Sequence, residues 1–239
     1  MGLKGMRLFI LACVPFLAQG SLITIKGTQD VWPPYFQEAP DTGKAQLILI
    51  DIFEQSDLLL DIKLQPWNRA LKSVRTMEKD VILGAWKTGE RERFLYFSQP
   101  YYWNEIVVLS RHKSPLQYSG RESLTGFTIG VQRGYRYSDD FEQLTNFKKY
   151  EISSAEEGIE KLIKQRVDAI LIDKNVLTYT LEKAQLNRDL FHISTIHFSC
   201  IPLHLATSKE NSAAKKHIDK INTTLSERQV TSPCIKVNR

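Results

Sequence analysis

From residue 22 onward, short apolar runs alternate with stretches whose apolar positions recur at helical spacing, the interleaving expected of an α/β fold. The pattern predicts strands at 22–26, 61–64, 80–84 and 105–110, with helices at 45–55 and 69–78 between them. Trp32-Pro33-Pro34-Tyr35 interrupts it after the first strand. Each proline there fixes its own φ and biases the preceding residue away from helix, so a stiff extended loop is expected. A second series opens after Leu124, with strands at 127–132, 150–153, 167–172 and 203–208. Its helices are expected at 139–144, 154–165, 175–184 and 212–227. Ser154 is a suitable N-cap, followed by Glu156 and Glu157 where the helix dipole favours acids. No Gly- or Ser-rich linker or repeat separates the two series, so extended crossing segments are expected to join them.

Composition adds limits. A hydrophobic fraction of 42% and a charged fraction of 25% over 239 residues are ordinary globular values, which excludes a disordered chain. Residues 1–20 read as a secretory signal: Lys4 and Arg7 precede an apolar run, and Ala18-Gln19-Gly20 supplies a small-x-small cleavage site before Ser21. The run is too short to span a membrane, though an uncleaved anchor or buried N-terminal helix is the alternative. Removing it takes the formal charge from +5 to +3. With no basic block or stripe, nucleic acid is not an expected partner. Cys13 goes with the signal, lipidation being the less suitable fate. Cys200 and Cys234 remain, an even pair in an oxidising compartment, either bonded or two separate buried thiols.

Motifs for catalysis are missing. Gly126, Gly130 and Gly134 are too widely spaced for a dinucleotide loop, and there is no Walker lysine, zinc-type histidine pair or nucleophile elbow. No cofactor or metal is called for. The informative stretch is 80–102, where a buried strand ends at Gly84 and a polar loop carries Arg91. Ligands of open α/β sheets bind beyond strand C-termini, and a guanidinium there can hold a carboxylate through paired hydrogen bonds. The alternative for Arg91 is a solvated charge among other charges.

Asp80, Gly84, Thr88, Glu90, Arg91, Phe97, Ser98, Pro100, Tyr101 and Tyr102 form a pattern that resembles the periplasmic solute-binding proteins of family 3, the amino-acid-binding type. Three further places agree in order: Trp32-Pro33-Pro34-Tyr35, the run from Leu124 to Gly134, and Val167-Asp168-Ala169 through Asp173. The resemblance implies a type II periplasmic binding protein-like fold. Two α/β lobes would be joined by two crossing hinge segments near 108–114 and 196–204, with the ligand cleft between the lobes. Lobe one would comprise 21–110 plus 200–239, and lobe two 111–199.

It also implies roles. Arg91 would hold a ligand carboxylate and Asp173 its ammonium. Tyr135 and Arg136 would offer backbone N–H groups near a helix N-terminus. Trp32 would stack on the ligand, and Trp67 or Asn68 would line the opposite wall. Ala85 and Trp86, after the glycine, belong to the same site, but Trp86 stands where the family carries Ser or Thr. Gln29 is the ungapped match to an acidic position of relatives that bind basic amino acids, and Asp30 lies one step beyond. Structural alternatives remain: Trp32 and Trp67 as packing, and Asp173 as a helix cap. The implied protein is a periplasmic monomer that captures an amino acid or small carboxylate for an inner-membrane ABC permease. A secreted dehydratase or lyase using Glu90 or Asp173, or a ligand-sensing subunit for a membrane receptor, are the other readings.

Overall fold

The computed structural model describes residues 22–38, 43–138 and 140–234. The secretory segment at 1–20, Cys13, the cleavage point before Ser21 and the start of the helix expected at 139 lie outside them. The chain runs β1 (Ile23–Gln29), α1 (Lys44–Gln55), β2 (Leu58–Leu64), α2 (Trp67–Arg75), β3 (Val81–Trp86), α3 (Gly89–Glu92) and β4 (Leu95–Arg111). It continues through β5 (Thr128–Gln132), β6 (Lys148–Ile152), α4 (Ala155–Ile163), β7 (Ala169–Asp173), α5 (Lys174–Lys183), β8 (Phe191–Ile193), β9 (Ser199–Ser208) and α6 (Ser212–Arg228). The strands are ordered β2-β1-β3-β9-β4-β7-β5-β6, with β8 paired to β4.

Two parallel sets, β2-β1-β3 and β6-β5-β7, lie at the ends of this order, and antiparallel β9 and β4 join them. Every residue of β3 and of β7 is buried. That explains their nearly unbroken apolar sequences, because a parallel strand covered on both faces has no polar side to alternate with. In α1, Ala45, Leu49, Ile52 and Phe53 form one buried stripe at helical spacing. Ser154 caps α4 as expected, its side chain accepting from the Glu157 N–H.

The long crossing strands are where pattern and structure part. Only 105–110 was expected as strand, yet β4 runs for 17 residues. Pro100 and its polar neighbours hide the strand in the sequence. Register shifts between Phe97 and Pro100 and between Pro100 and Tyr102 absorb the proline, as bulges do. β4 pairs with β9 from Leu95 to Ile106 and with β7 from Ile106 to Ser110, so it changes partner at Ile106. β9 likewise starts at Ser199, with Pro202 opposite Trp103. The helix expected at 139–144 is a 3-10 turn, Phe141–Gln143.

Cys200 on β9 is disulfide-bonded to Cys234, beyond α6, with Cα atoms 5.9 Å apart. The bond closes a loop of separation 34, which in the chain-entropy model contributes about 3–4 kcal/mol. Cys200→Ser with Cys234→Ser should therefore lower the denaturant midpoint of unfolding by an equivalent amount. Reducing the wild type should have the same effect in equilibrium unfolding.

Candidate functional site

The C-terminal ends of parallel strands β1, β3 and β5 open on one cavity of about 250 Å³. Gln29 to Trp32 reach it from the end of β1, and Gly84 and Trp86 from β3. Trp67 comes from the start of α2, Arg91 from α3, and Gln132 to Tyr135 from the turn after β5. Both halves of the sheet thus supply its walls. The volume lies just below the roughly 300–1,000 Å³ of drug-sized pockets, a scale suited to a small metabolite.

Arg91 is the partly buried cation of the cleft, whereas Arg133, which also lines it, is exposed and pairs with Glu151. The Thr88 side chain accepts from the Arg91 backbone N–H, which sets the short turn of α3. The guanidinium donates from Nη1 to the Trp86 carbonyl at 2.8 Å and lies 4.7 Å from the Trp67 ring centre. These two contacts fix its plane while leaving most of its N–H groups for a ligand. Burial, and then Arg136 nearby, hold its pKa below the usual arginine value.

Aromatic rings from both halves close around it. Trp32, Trp86 and Tyr135 meet edge-to-face, with centroids 5.9 Å apart for Trp32–Trp86, 6.2 Å for Trp32–Tyr135 and 4.8 Å for Trp86–Tyr135. The Trp32 indole nitrogen and the Tyr135 hydroxyl are buried without a hydrogen-bond partner. They lie close enough for Trp32 to influence the Tyr135 pKa, yet outside hydrogen-bond geometry. Gly84 must be glycine here, because a Cβ would sit 2.8 Å from the Phe36 ring.

Arg91, Trp32, Trp67, Trp86, Gln29 and Tyr135 thus line one cleft. Ala85, Asn68, Arg136 and Asp173 do not. Ala85 is fully buried in a separate cluster with Val74, Ile82, Leu95 and Ala206, because consecutive strand residues face opposite ways. Asn68 is exposed on α2. Arg136 is exposed and pairs with Glu142 at 3.0 Å. The Tyr135 N–H donates to the Gln132 carbonyl, closing a turn with Gly134 at φ +80°, and residues 135–138 are irregular. The helix N-terminus expected there is therefore replaced by a glycine turn.

Asp173 differs most from expectation. It ends β7 only 1% exposed, and its Oδ1 accepts from the Asn175 and Val176 N–H groups, capping α5. Oδ1 also accepts from the Tyr35 hydroxyl at 2.7 Å, and Oδ2 from Asn104 Nδ2 at 3.1 Å. Burial still pushes its carboxyl pKa up, against the lowering effect of all four donors. The expected cap is present, whereas an ammonium would have to displace bonds already made.

Gln29 is also directed inward: its Oε1 accepts from the Gly84 N–H, and its Nε2 donates to Asp30 Oδ1 at 2.8 Å. Asp30 is thereby held at the cleft wall. The feature that identifies it is its place directly after the last residue of β1, one step beyond the ungapped family match at Gln29. No metal site emerges at the one His/Cys cluster among the described residues. There the Cys200 and Cys234 sulfurs are joined to each other, and His197 pairs with Glu105.

Two half-sheets joined by two long strands, facing each other across a small polar cleft, define the architecture of a solute-binding protein. The chain belongs to the bacterial extracellular solute-binding proteins, family 3, whose pattern matches residues 25–231. The family implies two lobes. In fold it is similar to the arginine-bound form of truncated ArgBP from T. maritima, at 22% identity and TM-score 0.65, covering 87% of this chain and 96% of that one. It is similar to the GluR0 ligand binding core in complex with L-glutamate, at 19% identity and TM-score 0.69, covering 88% and 95%. A third is AbpA, an amino acid ABC transporter substrate-binding protein from Streptococcus pneumoniae bound to L-arginine. It shows 21% identity and TM-score 0.63, covering 86% and 89%.

Asn104 cannot flip to suit a new neighbour, because its Oδ1 accepts from Trp86 Nε1 at 2.8 Å. Asp173→Asn would therefore set an amide N–H against a donor on at least one side. The expected cost is about 1–3 kcal/mol in urea unfolding.

Proposed function

We propose that this chain is exported to the periplasm, captures an amino acid in the cleft by hinge closure and delivers it to an inner-membrane transporter. The observation that carries this reading is Arg91: a partly buried guanidinium at the cleft, oriented by Trp86 and Trp67, and engaged in no ion pair among the described residues. Such a group is suited to a small carboxylate, which it can grip with two parallel charge-assisted bonds. The bound amino acids in the similar structures support the same class. Trp32 and Trp86 from the first half and Tyr135 from the second, in mutual edge-to-face contact, give the ligand's remaining atoms an aromatic wall built from both halves. Contact energy is then realised in full only when the halves close together.

Turnover finds less support. Glu90 and Asp173, the carboxylates considered for acid–base work, do not line the cleft. A binding role needs neither.

The test is a thermal-shift screen of the mature chain, unfolded and refolded to strip bound ligand, against the common L-amino acids. A ligand at about 100 times its dissociation constant adds roughly 2.7 kcal/mol and raises the melting temperature by several degrees. Arg91→Ala should remain folded and lose that shift. A shift that survives Arg91→Ala would remove the carboxylate clamp from the account.

A further inference from the structure

Outside the cleft, three metal-ligating side chains come together where the segment after α6 meets β9. A ring nitrogen of His197 and the sulfurs of Cys200 and Cys234 lie within 4.8 Å of one another. None of the three residues lines the cleft. In the disulfide-bonded chain the sulfurs are joined to each other and offer no thiolate. A tetrahedral zinc ion bound by two thiolates and an imidazole sets its donor atoms about 3.5–3.8 Å apart. The present spread is therefore close to what such an ion requires once the S–S bond is open.

Two of the three ligands are already held by the sheet. Cys200 lies on β9 opposite Glu105 of β4, and the Phe198 N–H, next to His197, donates to the Ile106 carbonyl at 2.8 Å. The Glu105 carboxylate accepts from His197 Nε2 at 2.7 Å and from Lys174 Nζ at 3.1 Å. A neutral ring donating from Nε2 keeps its lone pair on Nδ1, the state a metal takes. A carboxylate on the opposite nitrogen is the usual partner of a ligating histidine. Cys234 comes from the irregular segment after α6, so opening the disulfide asks chiefly this segment to adjust.

We propose that reduction of the Cys200–Cys234 disulfide uncovers a zinc site with His197, Cys200 and Cys234 as ligands and water in the fourth place. Glu105 is its positioning residue. A dithiol reductant supplies two electrons and two protons, opening the S–S bond into two thiols and itself closing to a disulfide. Each thiol then releases its proton to solvent as its sulfur bonds the ion. Thiolate and imidazole together select zinc over magnesium or calcium. The ion takes over the work of the disulfide, tying the segment after α6 to β9.

The experiment titrates cobalt(II), a spectroscopic substitute for zinc, into the mature chain reduced with a phosphine and, separately, into the disulfide-bonded chain. The reduced chain should take one ion per chain, with a thiolate-to-cobalt absorption band that added zinc abolishes. The disulfide-bonded chain should show no band. Zinc should also return the denaturant midpoint of the reduced chain towards that of the disulfide-bonded one. His197→Gln keeps both cysteines and should weaken binding by at least about 10-fold, a ligand counting for no less than its orienting partner. Glu105→Gln should weaken it by about 10-fold, and His217→Gln, on α6, should leave it unchanged. Cooperative unfolding of each variant in its disulfide-bonded form separates a lost ligand from a lost fold. No band in the reduced wild type, a band indifferent to His197→Gln, or one ion shared by two chains in sedimentation overturns the proposal.

Discussion

A carboxylate almost without access to water has to find its donors inside the protein, and at Asp173 those donors come from separate parts of the chain. Two are the first free amides of α5, where the helix dipole also favours negative charge. One is Tyr35, in the rigid loop after β1, and one is Asn104, midway along the strand shared by both halves. Leaving any of these positions would strand a buried charge, which costs far more than an ordinary hydrogen bond. The constraint spreads outward. Asn104 can donate to Asp173 only if its oxygen faces the other way, and there it accepts from Trp86 Nε1. Tyr35 can donate only if its ring lies where it packs on Trp32, with centroids 4.6 Å apart. Two aromatic walls of the cleft are thus located by a carboxylate that does not touch it.

The same arrangement shapes what Arg91 can do. Its anchor is the Trp86 carbonyl, so the side chain that Asn104 positions also belongs to the residue that orients the guanidinium. Where relatives are expected to place a small hydroxyl, this chain has an indole whose N–H is turned away from the cleft towards Asn104. In the proposed binding mode, the hold on a carboxylate therefore falls more heavily on Arg91 itself. One of its five N–H groups is held by the carbonyl, and the rest suffice for a bidentate grip.

Much of the fold was legible because its parallel strands are covered on both sides and read as apolar runs. α1, α2, α4, α5 and α6 announced themselves by periodicity, and Ser154 by its chemistry. What stayed hidden was continuity. Ser98, Gln99 and Pro100 look like a loop, yet they lie within β4, where bulges accommodate the proline and His204 and Leu205 of β9 bond to Ser98. The cleft was legible in the residue types its chemistry demands, Arg91 and the tryptophans above all. Directions were harder. The alternation of β3 sends Ala85 away from the cleft, and nothing in spacing alone says that Tyr35 and Asn104 converge on Asp173 from 138 and 69 residues away.

Position along a motif and position in space are therefore different kinds of information. Gln29 is the ungapped match to an acidic position expected in relatives that bind basic amino acids, and an unshifted comparison leaves the first loop with a neutral amide. In three dimensions that amide is not a ligand contact waiting to be made. Both its ends are already bonded, one to the β3 backbone at Gly84 and one to the next side chain. A negative charge still reaches the cleft, displaced by one residue and held by the amide that took its place in the alignment. Such a shift leaves local charge unchanged but moves it relative to Arg91, and so changes the spacing of the charges along the cleft wall.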